Sequence, residues 1–291
     1  MTEQSGPSAE QSGSAAGHSR HGEFHSPGPW PVVGAELTLA AGESRHACRA
    51  LRVRSGDRIR LVDGEGRAGA ALVVRADARG VRVRLLEIRE VEREDPWPWE
   101  LALPRLRARG RMDWAIEKAT ELGCRRFHLF EAARSVRAGR GSREARAERW
   151  RALALAAMKQ SGRAWCPPIV HHDSLVRLLA QEAGRARVLY GDPGGLRVDA
   201  LAAFRRGETL LLVVGPEGGL TAEESTALAA ARGEPVRLGP HRLRSEGAAI
   251  ALAAVVAASL PAADGPDAGG PATGARDARG PATGGADRVG A

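Results

Sequence analysis

Thr209-Leu210-Leu211-Leu212-Val213-Val214-Gly215-Pro216-Glu217-Gly218-Gly219-Leu220-Thr221 is the stretch whose reading decides the fold. Its first half is an unbroken apolar run without polar alternation, the pattern of a strand buried on both faces of a parallel sheet. Its second half is a glycine-rich turn. Thr221, with Glu224 three residues on, forms a capping box that opens a helix. Strand, glycine turn and helix make the repeating unit of an α/β fold, in which ligands gather at the carboxyl ends of the strands.

Two more segments of this kind flank the first. Val188 to Tyr190 is a short apolar run leading into Gly191-Asp192-Pro193-Gly194-Gly195. Val236 to Leu238 leads into Gly239-Pro240-His241-Arg242-Leu243-Arg244-Ser245-Glu246, and Ser245 to Leu260 reads as an alanine-rich helix. Glycine lets backbone approach a ligand closely. One such loop is ordinary turn chemistry, but three in adjacent elements form a binding site. No G-x-x-x-x-G-K-[ST] is present, so a P-loop nucleotidase is not supported. Upstream, Leu101 to Leu106 and Phe127 to Phe130 read as strands and Met112 to Leu122 as a helix stopped by Gly123. Ser142 caps a long helix running to Gln160.

Before Glu92 the period changes. Ala35 to Ile88 reads as short strands separated by turns, including Asp57–Val62, Ala70–Val74 and Val81–Leu85, which predicts a small β-barrel. Gly64, Gly66 and Gly69 match G-x-G-x-x-G, yet another strand follows instead of a helix. They therefore belong to a hairpin, not a dinucleotide site. Glu92 to Trp99 is charged, then broken by Pro96 and Pro98, as a linker would be. Residues 1–25 and 263–291 have almost no large apolar groups and are expected to be disordered tails. The expected domains are 26–95 and 96–262.

The 291 residues include 43% hydrophobic and 27% charged residues, which excludes a mainly disordered or collagen-like chain. Ala248 to Leu260, the longest apolar stretch, is too short to span a bilayer. Cys48, Cys124 and Cys166 are far apart, so neither a disulfide framework nor a cysteine zinc site is expected, and a cytoplasmic location is. Trp97 to Arg163 carries 16 bases against 7 acids. Such a local field favours polyanions, nucleic acid above all. Arg134, Arg137 and Arg140 read as a basic loop able to follow phosphates, or else as a merely solvated one. His171-His172 is read as loop surface, and no metal-ligand cluster is expected.

Val214 to Thr221 with Glu223-Glu224 resembles the "GPEGG(F/L)" segment of the RsmE family of 16S ribosomal RNA uracil-N3 methyltransferases, in the SPOUT superfamily. Leu238-Gly239-Pro240-His241-Arg242-Leu243-Arg244-Ser245-Glu246 is similar to its "LG-x-R-I-L-R-x-E-T-A" loop, with Gly247 where the family usually has Thr. Glu117 to Gly123 resembles its "K-x-x-E-L-G" helix end, and Ala157 with Gln160 to Arg163 and Pro167 its "E-A-x-E-Q-(S/C)-G-R-x-x-(V)-P" segment. His46, Arg49, Leu51-Arg52, Gly56-Asp57 and Asp63-Gly64 follow its "H-x-x-x-V-L-R…G-D…D-G" order.

The resemblance implies a PUA-like β-barrel followed by a SPOUT-type trefoil-knotted α/β domain, and a homodimer with active sites at the subunit interface. It implies S-adenosylmethionine as methyl donor and 16S ribosomal RNA of the small subunit as substrate. Cofactor contacts then fall to Tyr190, Gly191, Gly215, Pro216, Glu217, Gly218, Gly219, Leu238, Gly239, Leu243 and Ser245. RNA contacts fall to His46, Arg49, Arg52, Gln160 and Arg163, beside the basic loop. Arg244 is placed to stabilise a uracil anion, with Glu246 as proton acceptor. Glu246 equally suits a structural pair with Arg244 bracing the loop. Two other readings use the same motifs: a non-catalytic RNA-binding factor on this scaffold, and a methyltransferase for another RNA position.

Overall fold

The computed structural model describes residues 22–91, 98–106, 108–134, 143–201 and 203–260. In chain order the elements are β1 (Glu23–His25), β2 (Glu36–Thr38), α1 (Ala41–Arg49), β3 (Arg58–Val62), β4 (Arg67–Asp77), β5 (Gly80–Glu90), β6 (Trp99–Pro104), α2 (Arg109–Glu121) and β7 (Phe127–Phe130). They continue as α3 (Arg143–Gln160), β8 (Ile169–His172), α4 (Leu175–Glu182), β9 (Arg187–Leu196), β10 (Leu210–Val213), α5 (Ala222–Ala230), β11 (Glu234–Val236) and α6 (Ser245–Ser259).

The first sheet has five strands in the order β1-β3-β4-β5-β2. Alternation fixes its faces: Val81, Val83 and Leu85 are buried while Arg82 and Arg84 between them are exposed. Register shifts at Ala70/Ala71 and Val73/Arg75 mark bulges, which bend a strand and tighten its twist. Phe24, fully buried, packs in this core with Ile59 and Leu61. The expected tail therefore ends before residue 23, not at 25, because β1 pairs in parallel with Arg60 to Val62. A second correction is α1. Ala41–Arg49 was read inside a run of strands, but Ser44 and Ala47 turn one helical face inward over β4 and β5.

The second sheet is entirely parallel, with order β11-β9-β10-β6-β7-β8. Every residue of β6, β7 and β10 is buried; β10 is an unbroken apolar run, and β6 and β7 each bury one polar residue, Glu100 and His128, which pair with each other. On one face lie Met112 and Ile116 of α2, Trp150 and Ala154 of α3, and Leu252 and Val256 of α6. Leu175, Leu178 and Leu179 of α4 and Leu228 of α5 cover the other. Fully burying each such leucine contributes about 1.5–3 kcal/mol. After the edge strand β11 the chain returns across the sheet, and α6 packs on β6, β9 and β10 as well as α2.

The segment after α3 fastens the two sheets. Cys166 N donates to Gly64 O (2.8 Å), Gly66 N donates to Ala164 O (3.1 Å), and the Trp165 indole donates to Val91 O (3.1 Å). Gly66, at φ +106°, is required here, since a Cβ on it would sit 2.2 Å from the Trp165 ring. The G-x-G-x-x-G match is thus a hairpin and a docking point. Of the expected linker, 92–97 lies outside the described residues, while Trp99 is already buried in β6. Ser142 and the remaining tail residues also lie outside them. Among the described residues no helix is long and apolar enough to cross a membrane.

Candidate active site

Three segments meet at the carboxyl-end side of the sheet, one inside β9 and two beyond the ends of β10 and β11. The first is Tyr190 to Gly195, expected as a loop but found within β9. Its ladder to β11 jumps from Tyr190 to Leu196, so the glycines bulge out of the sheet between two paired points. Asp192 Oδ1 accepts from Gly194 N at 2.7 Å, turning the bulge. Gly195 passes so close to β11 that a Cβ would meet Pro235 backbone at 2.5 Å. Tyr190 is half-buried, and burial, then Asp192, raises its phenol pKa.

The second segment, Gly215 to Gly219, leads into α5 through the expected capping box. Thr221 Oγ1 accepts from Glu224 N (3.2 Å), and Glu224 Oε2 accepts from Thr221 N (2.8 Å). The other Glu224 oxygen accepts from Ala133 N, tying the end of the β7 loop to this turn. Arg134, the described start of the basic loop, donates to Gly218 O at 3.3 Å. Arg134 therefore sits beside Gly218 at the mouth, whereas Arg137 and Arg140 lie outside the described residues.

The third segment, Leu238 to Glu246, closes on the other two. Ser245 Oγ donates to Gly215 O at 2.9 Å, and Leu238 Cδ1 would lie 3.5 Å from a Cβ on Gly191. Gly239 has open space where a side chain would project, and Leu243 is 44% exposed. Arg244 is the exposed N-cap of α6, and Glu246 lies in that helix's first turn, where a carboxylate is favoured by the helix dipole. Pro216, Glu217, Gly218 and Gly219 complete the rim.

Arg244 and Glu246 do not pair with each other among the described residues. Glu246 Oε1 instead lies 3.4 Å from Arg111 Nε of α2, and the same guanidinium reaches Glu217 Oε1 at 2.8 Å. The bracing alternative therefore gains a different partner. Glu246 Oε2 is buried and has no hydrogen-bond partner. Arg111, Trp114, Arg244, Glu246 and Gly247 line one groove between the starts of α2 and α6. Sequence reading missed Arg111 because nothing in its local pattern distinguishes it from the arginines around it.

The expected RNA contacts divide. His46, Arg49 and Arg52 are exposed on α1 and its exit, on the first sheet rather than at the three loops. Arg52 holds φ 51°, a left-handed conformation that costs a non-glycine residue roughly 1–2 kcal/mol. Gln160 is exposed at the end of α3. Arg163 does structural work as well: it donates to the carbonyls of Thr120 (2.8 Å), Cys124 (3.0 Å) and Gly123, closing the carboxyl end of α2.

The histidine pair belongs to β8, not to loop surface. His172 Nε2 is 3.0 Å from Nδ1 of buried His128, whose Nε2 is 2.7 Å from Glu100. Burial, then the neighbouring His128 charge, lowers the His172 pKa. Burial pushes the Glu100 pKa up, but the His128 hydrogen bond and charge, with Arg126 and Arg185, bring it down overall. Glu100, His128 and Glu182 form a group of metal-ligand composition, with donor atoms within 4.8 Å of one another. Arg185, 3.3 Å from Glu100 and 2.5 Å from Glu182, already supplies the positive charge those carboxylates need.

A parallel sheet with glycine-rich segments at its carboxyl edge, joined to a small β-sheet, is here the architecture of an RNA methyltransferase with an N-terminal PUA domain. Family models agree: residues 93–257 match the RNA methyltransferase domain and residues 39–86 the RNA methyltransferase PUA domain. The chain belongs to the ribosomal RNA small subunit methyltransferase E family. It is 38% identical over 233 residues to the Mycobacterium bovis member, covering 77% of this chain and 87% of that one. The Bacillus subtilis member is 30% identical, covering 75% and 89%. A Neisseria gonorrhoeae ribosomal RNA small subunit methyltransferase E, solved bound to S-adenosyl methionine, superposes with TM-score 0.72 at 25% identity, over 82% of this chain and 98% of that one.

Proposed function

We propose that the protein methylates N3 of a uridine in 16S ribosomal RNA, with S-adenosylmethionine bound across the three loops as methyl donor. The observation that carries this is the seam between Ser245 and Gly215, which brings the glycine loops together and sets Arg244 and Glu246 at their edge. Peptide groups of Gly191, Gly218, Gly219 and Gly239 lie unshielded by side chains of their own, the chemistry an adenine edge and an amino-acid moiety need. When bound, S-adenosylmethionine supplies an electrophilic methyl on a sulfonium. Beside it the Glu246 carboxylate would accept the uracil N3 proton, and Arg244 would steady the charge on the uracil carbonyls.

The substrate is held by residues 26–95 together with β1, as a PUA-type RNA-binding domain with His46, Arg49 and Arg52 on its exposed side, while residues 96–262 form the SPOUT domain. Strand order and the return of α6 to the sheet centre support the knotted connection of that domain. Trp114 and Leu243 expose apolar surface near the groove, which supports a homodimer closing the active site. The work is cytoplasmic, on the small ribosomal subunit. Purified small subunits lacking the modification are incubated with the protein and methyl-labelled donor, and nucleosides are then resolved. Label in N3-methyluridine supports the reading; label only in a ribose or another base overturns it.

A further inference from the structure

We infer that Arg111 is a positioning residue of the reaction, acting through Glu246. The inference rests on the reading of Glu246 as proton acceptor. The side chain comes from the first turn of α2, an element with no part in the glycine loops, and reaches one carboxylate from each of two of those loops. Its NH1 engages Glu217 at 2.8 Å, and its Nε lies 3.4 Å from Glu246 Oε1.

The two contacts differ in weight. Glu217 is 57% exposed, and water screens that pair to little net energy. Glu246 is 13% exposed, so its pair with Arg111 is much less screened. A carboxylate can rotate, and either oxygen of a free one can turn toward a substrate. Here the guanidinium takes Oε1, and Oε2 is left buried with no hydrogen-bond partner. A buried acceptor without a donor is costly, and such groups concentrate at sites with a chemical role. Arg111 thus fixes the orientation of the Glu246 carboxylate beside the groove that both residues line, while its second arm holds the Gly215–Gly219 turn to the same frame.

A double-mutant cycle tests this by single-turnover kinetics on small subunits, with calorimetry for S-adenosylhomocysteine. R111Q is expected to lower the methyl-transfer rate roughly 10- to 100-fold, with ligand affinity within a few-fold of wild type. In an E246Q background the same change is expected to have little further effect. R111K is expected to recover only part, because an ammonium cannot grip two carboxylates through separate arms of a planar fork. Equal losses in both backgrounds, or loss of ligand binding with the transfer rate of the bound complex intact, would overturn the positioning role. An E246Q enzyme with full activity would overturn the role and the proton-acceptor reading together. Hydrogen exchange gives a readout independent of activity. R111Q is expected to speed exchange at both 217–219 and 245–248, and unchanged protection at either segment would overturn the clamp even if the RNA target proved to be a different nucleotide.

Discussion

At the residue scale, Arg244 carries the sharpest expectation. It is the exposed N-cap of α6 and makes no ion pair among the described residues, so its removal leaves no buried carboxylate stranded. Arg244→Ala should therefore keep the fold and hold cofactor affinity within a few-fold, while turnover falls by roughly two to three orders of magnitude, the scale of one lost oxyanion donor. Arg244→Lys should restore little, since a point charge does not match a planar carbonyl contact. Steady-state kinetics with calorimetry on the same preparations checks both. Arg244, Glu246 and the glycines were legible in the sequence because each sits in a segment with its own motif. Arg111 was not, because it contacts Glu217 and Glu246 from more than a hundred positions away, and no local period encodes that meeting.

At the element scale, segments dominated by large apolar side chains proved the most legible. Leu210–Val213 and Phe127–Phe130 are buried strands as read, and Thr221 caps α5 as read. Short amphipathic pieces were hidden. Glu23–His25 is three residues long, and α1 offers the core only small side chains, so neither rises above a loop or tail pattern. The polar chain under α4 was hidden for another reason: Glu100, His128 and His172 come from three strands that only the parallel pairing sets side by side. That chain has a pH signature. The folded His172 pKa lies below the ordinary 6.5, so below that value the unfolded chain takes up a proton that the folded one resists. Stability falls as pH drops from about 6.5 toward the folded value. The depressed Glu100 pKa contributes stability present above its ordinary 4.5, lost only as pH falls through its lower folded value. The melting temperature should thus decline between pH 7.5 and 5.5 in the wild type and decline less in His172→Gln, as thermal melts at the two pH values will read.

At the scale of the whole molecule, charge and connectivity matter most. A formal net charge of +8, concentrated in the segment from Trp97 to Arg163, should make methylation of ribosomal RNA salt-sensitive. Three or more arginine–phosphate contacts give a log–log slope of apparent affinity against salt of about −2 or steeper, and a flat response would remove that segment from the RNA interface. Connectivity bears on how the chain is made. The central strand β6 pairs with β10, which lies about 110 residues downstream, and every residue of β6 is buried in the finished sheet. At a synthesis rate of about 5–20 residues per second, β6 waits roughly 5–20 s on the ribosome with one edge unpartnered. Sheets closed by such distant pairings also refold slowly. During that interval an apolar strand edge is a template for wrong pairing. An enzyme that serves the small ribosomal subunit would thus, as it emerges from a ribosome, be a client for chaperones that shield the open edge until Leu210–Val213 arrives.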